Sequence, residues 1–308
     1  MSEVLNILLT NDDGYRAAGI HVLAEIMCQF GSVTAVAPKF HQSGMSMAVS
    51  MGGKAIAYKE LPSEDGARWS YLDATPASCV KYGLDEVFWP GKPDVVVCGI
   101  NHGSNAATAA NYSGTLGAAE EAALNGILGV GVSLDTMSPD ADFSVVKEFF
   151  PEIFRTILAN RPSRGGIFYN VNFPNIPASA VKGVRVGHQG MGHWEKEFKP
   201  WNADSFAARG LRPEDLGHTS SPVAEKGERL YMMVGDFKDD SPADDRLADH
   251  HIISEGYISV VAHNIDTTDR EEIARLDGLG FNKNLYGLRR RRERLMNMSA
   301  DGTVRVTG

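Results

Sequence analysis

The stretch Ile7-Leu8-Leu9-Thr10-Asn11-Asp12-Asp13-Gly14 decides how the rest of this chain is read. Residues 4–9 form an apolar run with the character of a buried strand, and two adjacent carboxylates follow it. Carboxylates this close raise one another's pKa unless a positive charge sits between them, and a bound metal ion is a common source of that charge. The position suits a site, because open parallel α/β sheets bind ligands just beyond the carboxyl ends of their strands. The competing reading is a helix N-cap, a role that Asn and Asp favour. One Asp suffices for a cap, so Asn-Asp-Asp-Gly points to a metal site.

Working outward, the first half of the chain alternates strand and helix. Residues 17–30 carry Ile20, Leu23, Ala24 and Met27 at helical spacing, with Gly31 as a stop. Residues 33–37 read as a strand ended by Pro38. Residues 48–59 and 68–72 read as further strands, turning at Gly52-Gly53. Thr75-Pro76 opens a helix, with Thr as cap and Pro at the first helical position. Residues 94–98 have the continuous apolar character of a parallel strand covered on both faces. A helix over 116–124, a strand over 130–134, a helix over 143–158 and a strand over 166–171 complete a doubly wound α/β core. Beyond Pro174 the pattern changes: residues 193–228 are polar and irregular, as an inserted arm or active-site cover would be. Strand character returns at 184–186, 230–234 and 257–261, with a helix over 245–254. The tail beyond His263 has helical stretches over 270–276 and 285–296, the second carrying Arg289, Arg290, Arg291, Arg292 and Arg294.

The chain has 308 residues and a formal net charge of −9, a balance that disfavours a dedicated binder of nucleic-acid polymer but leaves a small anionic substrate open. Cys28, Cys79 and Cys98 show no metal-binding spacing and read as buried small hydrophobes, which points to a reducing cytoplasm. No apolar run reaches membrane-spanning length, and no basic segment with a secretory apolar core opens the chain. Neither a membrane nor nucleic acid is expected as a partner.

Four loops that follow strands or open helices present the same chemistry: residues 11–14, 38–44, 99–105 and 111–115. Their carboxylate, hydroxyl and amide oxygens make a hard ligand set suited to Mg²⁺, Mn²⁺ or Ca²⁺, whereas the nine histidines show no zinc-binding arrangement like HExxH. Ser113-Gly114-Thr115 opens a helix with small residues and no acid in its first turn, so free N–H groups and the helix dipole there attract an anion such as phosphate. Ordinary capping by Ser or Thr is the alternative at that position. A metal beside an anion-binding helix end is the equipment of a phosphate-hydrolysing enzyme. One rival is a serine hydrolase, since Gly44-Met45-Ser46-Met47-Ala48 nearly matches a nucleophile elbow. It lacks the final Gly, and strand rather than helix is expected after it. A second rival is a non-catalytic nucleotide-binding module.

These stretches, together with Gln42-Ser43-Gly44, Thr75-Pro76, Cys79-Val80, Pro93-Asp94, Gly99-Ile100-Asn101, Asn105, Tyr112-Ser113-Gly114-Thr115 and Gly256-Tyr257-Ile258-Ser259, resemble the SurE family of 5′/3′-nucleotidases, in order, over about residues 4–265. The resemblance implies a Rossmann-like, mostly parallel sheet in a domain over 1–265, with the arm inserted and a helical tail over 266–308 that takes part in oligomerisation. It implies a phosphatase acting on nucleoside monophosphates, with one Mg²⁺ or Mn²⁺ per subunit held by Asp12, Asp13, Ser43 and Asn101. Asp12 or Asp13 would then orient or deprotonate the attacking water. Asn11, Gly44, Asn105, Ser113, Gly114 and Thr115 match the family's phosphate-facing pocket. A homodimer or homotetramer is implied as well. Trp194 and Trp201 are candidates for a cover that stacks on the base, and His41 and His102 are left outside the site. The chain departs from the family pattern at Ala74 and Ser78, and at Ala262-His263-Asn264, none of them a proposed ligand.

Overall fold

The first strand, β1 (Leu5–Thr10), runs through the middle of a nine-stranded sheet. This computed structural model describes residues 4–281 except 54, 139, 208–211, 214–216 and 218–221. Successive β1 side chains point to opposite faces, and both faces are covered. Ile7 and Leu9 pack with α1 (Ala18–Met27) and α4 (Ser144–Ala159), whose buried stripes include Ile20, Leu23, Phe150 and Phe154. On the other face Leu8 packs with α2 (Pro76–Tyr82) and α3 (Gly114–Leu124). Small residues on α3, Ala118, Ala119, Ala122 and Ala123, let that helix lie close against the sheet.

The remaining strands of the sheet are β2 (Gly31–Pro38), β3 (Tyr58–Glu64), β4 (Ala67–Leu72), β5 (Val95–His102), β6 (Leu128–Leu134), β7 (Ile167–Phe173), β8 (Val184–Gly187) and β13 (Ile258–Asn264). Their order is β3-β4-β2-β1-β5-β6-β7-β13-β8. From β4 to β7 every neighbouring pair is parallel, and β3–β4 and β7–β13 are antiparallel. The chain therefore winds from β1 outward through β2 and β4, then crosses back to β5 and outward through β6 and β7. That reversal makes the carboxyl ends of β1 and β5 the topological switch point, where a crevice opens in such sheets. The architecture is the doubly wound α/β fold expected from the sequence.

Two expectations are corrected. Residues 48–53 and 55–57 form no strand: the hairpin partner of β4 is β3, joined through Asp65-Gly66 rather than Gly52-Gly53. Asp65 and Gly66 both adopt positive φ, 52° and 76°, as a two-residue hairpin turn requires. The arm is also more regular than its composition suggests. It is a two-stranded ribbon in which β9 (Gly192–Glu195) pairs with β12 (Asp236–Asp239), and β10 (Phe198–Pro200) pairs with β11 (Tyr231–Met233), with a short helix α5 (Ala203–Ala207) beyond. The strand expected over 230–234 thus belongs to the arm and not to the main sheet. These strands are only three or four residues long and largely exposed, so they leave no alternating buried pattern to read.

Where the arm rejoins the core, α6 (Asp249–Ser254) begins with a fully buried aspartate. Asp249 Oδ1 accepts the backbone N–H groups of Ala107, Gly190 and His250, each at 2.9 Å. It thereby ties the base of the arm to the 3₁₀ turn Ala107–Tyr112 that leads into α3. The chain divides into two compact units, Met1–Ile265 and Asp266–Gly308. The second contains α7 (Arg270–Gly278), capped by Asp269, whose side chain accepts the N–H of Glu272 at 2.9 Å. The helix expected over 285–296 and the cluster from Arg289 to Arg294 lie outside the described residues.

Candidate active site

Asn11, Asp12 and Asp13 emerge at the switch point, directly after β1. Asp12 is only 3% exposed. Its Oδ1 accepts the hydroxyl of Thr115 at 2.7 Å, across from the first turn of α3. Burial, then the neighbouring charge of Asp13, push the Asp12 pKa up to about 7 against the opposing pull of the Thr115 hydrogen bond. Gly114 closes the same side: a Cβ there would lie 2.9 Å from the Asp12 Cβ and 3.0 Å from Oδ2. Only a residue without a side chain admits Asp12 this near the helix start. The start of α3 is also well capped, since Ser113 Oγ accepts the N–H of Leu116 at 3.0 Å. Ser113 therefore caps, while Thr115 faces the Asp12 carboxylate.

Asp13 is held from two other loops. The backbone N–H of His102, at the end of β5, donates to Oδ2 at 3.3 Å, and the His102 Nδ1 lies 3.5 Å from the same oxygen. From the loop after β2, His41 Nδ1 lies 3.4 Å from Oδ1. Sequence alone sets neither histidine in the site, whereas the structure brings both to Asp13. The available signal was position: they share loops with Ser43 and Asn101. The β2 loop is itself fastened to the site, because the N–H of Gln42 donates to the Asp12 carbonyl at 2.6 Å. Ser43 and Gly44, which follow it, are exposed.

The amides complete the set. Asn11 is fully buried; its Nδ2 donates to the Gly14 carbonyl at 2.9 Å, and its Oδ1 is buried with no hydrogen-bond partner. Asn101 donates Nδ2 to the Gly103 carbonyl at 2.8 Å, leaving its amide oxygen as an acceptor. Asn105 is turned inward instead. Its Nδ2 donates to Ser133 Oγ at 2.8 Å, its backbone N–H donates to Asn172 Oδ1 at 2.8 Å, and its carbonyl accepts Asn170 Nδ2 at 2.8 Å. Ser133, Asn170 and Asn172 form a buried network inside β6 and β7 that the sequence reading missed. Its signal was polar residues set in otherwise apolar strands.

Ser46 does not sit on a nucleophile elbow. Residues 47–50 form no helix, the Ser46 N–H donates to the Tyr112 carbonyl at 3.0 Å, and no hydrogen bond links its hydroxyl to a histidine among the described residues. Trp194 lies on the arm against Phe237, with ring centroids 5.5 Å apart, and Trp201 follows β10.

Two carboxylates, a hydroxyl and amide oxygens, one of them buried without a partner, fit a hard divalent cation. A cation held by such a set would offset the adjacent charges of Asp12 and Asp13. A family model described as survival protein SurE matches residues 7–196. The chain belongs to the SurE family. Among its SurE relatives, the protein named 5′-nucleotidase SurE from Cytophaga hutchinsonii is 35% identical over 271 residues, 88% of this chain and 95% of that one. The protein of the same name from Christiangramia forsetii is 35% identical over 277 residues, 90% and 97% of the two chains. A third, from Chlorobium phaeobacteroides, is 40% identical over 192 residues, 62% of this chain and 73% of that one. The crystal structure of SurE from Aquifex aeolicus shares the fold, with a TM-score of 0.69 and 24% identity over 89% of this chain and 99% of that one.

Proposed function

We propose that the protein is a divalent-metal-dependent phosphoric monoester hydrolase that releases phosphate from nucleoside monophosphates. The observation that carries this reading is the Asp12–Asp13 pair at the switch point, walled by the start of α3. The relatives named 5′-nucleotidase SurE support the same reaction. In this reading one Mg²⁺ or Mn²⁺ per subunit is held by Asp12, Asp13, Ser43 and Asn101. When bound, the ion offsets the carboxylate and phosphate charge and makes a water acidic enough to attack near neutral pH.

The chain's own residues do the rest. Asp13, steadied by the His102 N–H, orients the attacking water or takes its proton. Asp12, fixed by Thr115, shares that role. Asn11, Gly44, Ser113, Gly114 and Thr115 line the phosphate side; Asn105, whose side chain turns to Ser133, holds the loop after β5 to β6. Water oxygen bonds to phosphorus as the ester P–O bond breaks, and the departing nucleoside oxygen takes up a proton. Three free cysteines fit a cytoplasmic setting, and no helix of the described residues is long and apolar enough to cross a membrane. A homodimer or homotetramer belongs to the same reading; Phe198, Tyr231 and Met233 stand exposed on the arm, as residues awaiting a partner copy do.

The test is phosphate release from a panel of nucleoside 5′- and 3′-monophosphates with Mn²⁺, with Mg²⁺ and with EDTA. Release is expected only with metal, and Asp12→Asn lowers it by about 100-fold or more. Tight nucleotide binding without any release from the metal-loaded protein would sink the hydrolase and leave the binding module.

A further inference from the structure

A second group of ligating side chains lies at the base of the arm, built from residues that the proposed phosphatase chemistry does not use. Asp239, on β12, meets His250 and His251, on α6, with one donor atom from each within 4.8 Å of the others. His251 Nε2 lies 2.7 Å from Asp239 Oδ2, and His250 Nε2 lies 3.0 Å from Oδ1. We propose that Asp239, His250 and His251 form a binding site for a zinc-type divalent ion that clips the arm to the core.

A second ring proton can satisfy the His251–Asp239 contact, but it leaves His250 without a partner. His251 Nδ1 lies 2.7 Å from the Asp245 carbonyl, which only accepts, so Nδ1 carries a proton. In a neutral ring, Nε2 then presents a lone pair to a carboxylate oxygen. Either a second proton or a cation must separate these two acceptors.

His250 makes the second case. Both of its ring nitrogens are buried, and neither has a hydrogen-bond partner; the 3.0 Å approach to Asp239 is not aligned as a hydrogen bond. Charging both imidazoles would place two cations with ring centroids 4.2 Å apart. One ion satisfies all three donors at once. A tetrahedral zinc ion with bonds of about 2.0 Å sets its ligand atoms about 3.3 Å apart, so the 3.0 Å and 2.7 Å approaches to Asp239 need to open by about 0.3 and 0.6 Å.

The surroundings are those of a ligating histidine. The Nδ1–H of His251 on a backbone carbonyl is the outer support that fixes the tautomer and leaves Nε2 free to ligate. Two imidazoles and one carboxylate suit zinc and its transition-metal neighbours, unlike the all-oxygen set around Asp12. The ligands join β12 of the arm to the helix that precedes β13, so an ion here fastens the ribbon at its root. The proposal is independent of the nucleotidase reading, because it concerns binding and not turnover.

The experiment is calorimetric titration of the full-length protein with Zn²⁺ in saturating Mg²⁺, followed by Co²⁺ substitution and its visible spectrum. One equivalent of Zn²⁺ is expected, and Co²⁺ is expected to give the intense bands of a four-coordinate imidazole site. His250→Gln and His251→Gln are each expected to weaken that equivalent by about 100-fold or more, since even an outer support is worth as much. Asp239→Asn, at a half-exposed position that tolerates change, carries the same expectation should a histidine variant fold poorly. His193→Gln, which removes the imidazole paired with Asp240 and Glu195, should leave binding intact. No Zn²⁺ binding by the wild type, or binding that survives in all three ligand variants, overturns the proposal. So does binding that depends on His193.

Discussion

Thr115 and Asp12 are 103 residues apart in the chain, yet the hydroxyl of one donates to the carboxylate of the other at 2.7 Å. Through this bond the first turn of α3 acts on the chemistry at the end of β1. A buried carboxylate beside a second carboxylate is driven towards its neutral form, and Thr115 is the side chain that opposes this drive.

Thr115→Val keeps the shape and removes the donor. The Asp12 pKa then rises further, and a protonated ligand binds a cation poorly. The Mn²⁺ concentration for half-maximal phosphate release is expected to rise by about 10- to 100-fold, as loss of an outer-shell partner does. Thr115→Ser should restore most of it, which separates the hydrogen bond from packing.

Gly114→Ala places a methyl group 2.9 Å from the Asp12 Cβ. The helix start or the aspartate must then move. A displacement of this kind at a reacting centre costs about 100-fold in rate. The variant's phosphate release is expected to fall by that factor at saturating metal, and its unfolding temperature to drop, since a buried clash costs about 1–3 kcal/mol.

Without metal, stability is expected to depend on Asp12. Its pKa is 3.8 ordinarily and about 7 in the folded protein. Between those values the folded state keeps a proton that the unfolded chain has released. Stability of the EDTA-treated protein therefore falls as pH rises from about 4 to about 7, by on the order of 4 kcal/mol, and levels off above. Asp12→Asn flattens this window. Urea unfolding at several pH values in EDTA, wild type against variant, reads the difference, and parallel curves would contradict it.

Ser46→Ala should leave metal-dependent phosphate release unchanged. The role of Ser46 lies in its backbone: its carbonyl sits where a Cβ on Gly117 would be only 2.0 Å away, packing the β2 loop onto α3. Release that vanished in Ser46→Ala and persisted in EDTA would restore the serine-hydrolase alternative.

The local patterns of the sequence were enough for the core. Ile7-Leu8-Leu9 forms a strand, and Ile20, Leu23, Ala24 and Met27 line the buried face of α1, because apolar periodicity is a property of neighbours in the chain. Thr75-Pro76 and Ser113 mark the starts of α2 and α3, since cap preferences are equally local. Asp12 and Asp13 announced themselves by being charged where a buried strand ends. Tertiary structure decided which distant groups answer those charges. Thr115 reaches Asp12, His41 and His102 reach Asp13, Asn105 turns inward to Ser133, and Asp239 meets His250 and His251 across the arm. None of these pairings has a periodicity, because loops and polar ribbons carry no repeating buried face. They follow from the winding of the sheet, which sets the ends of β1, β2 and β5 beside one another and returns the arm to the root of α6. Sequence thus determined the elements and the kinds of ligand, and the crossing of the chain determined their partners.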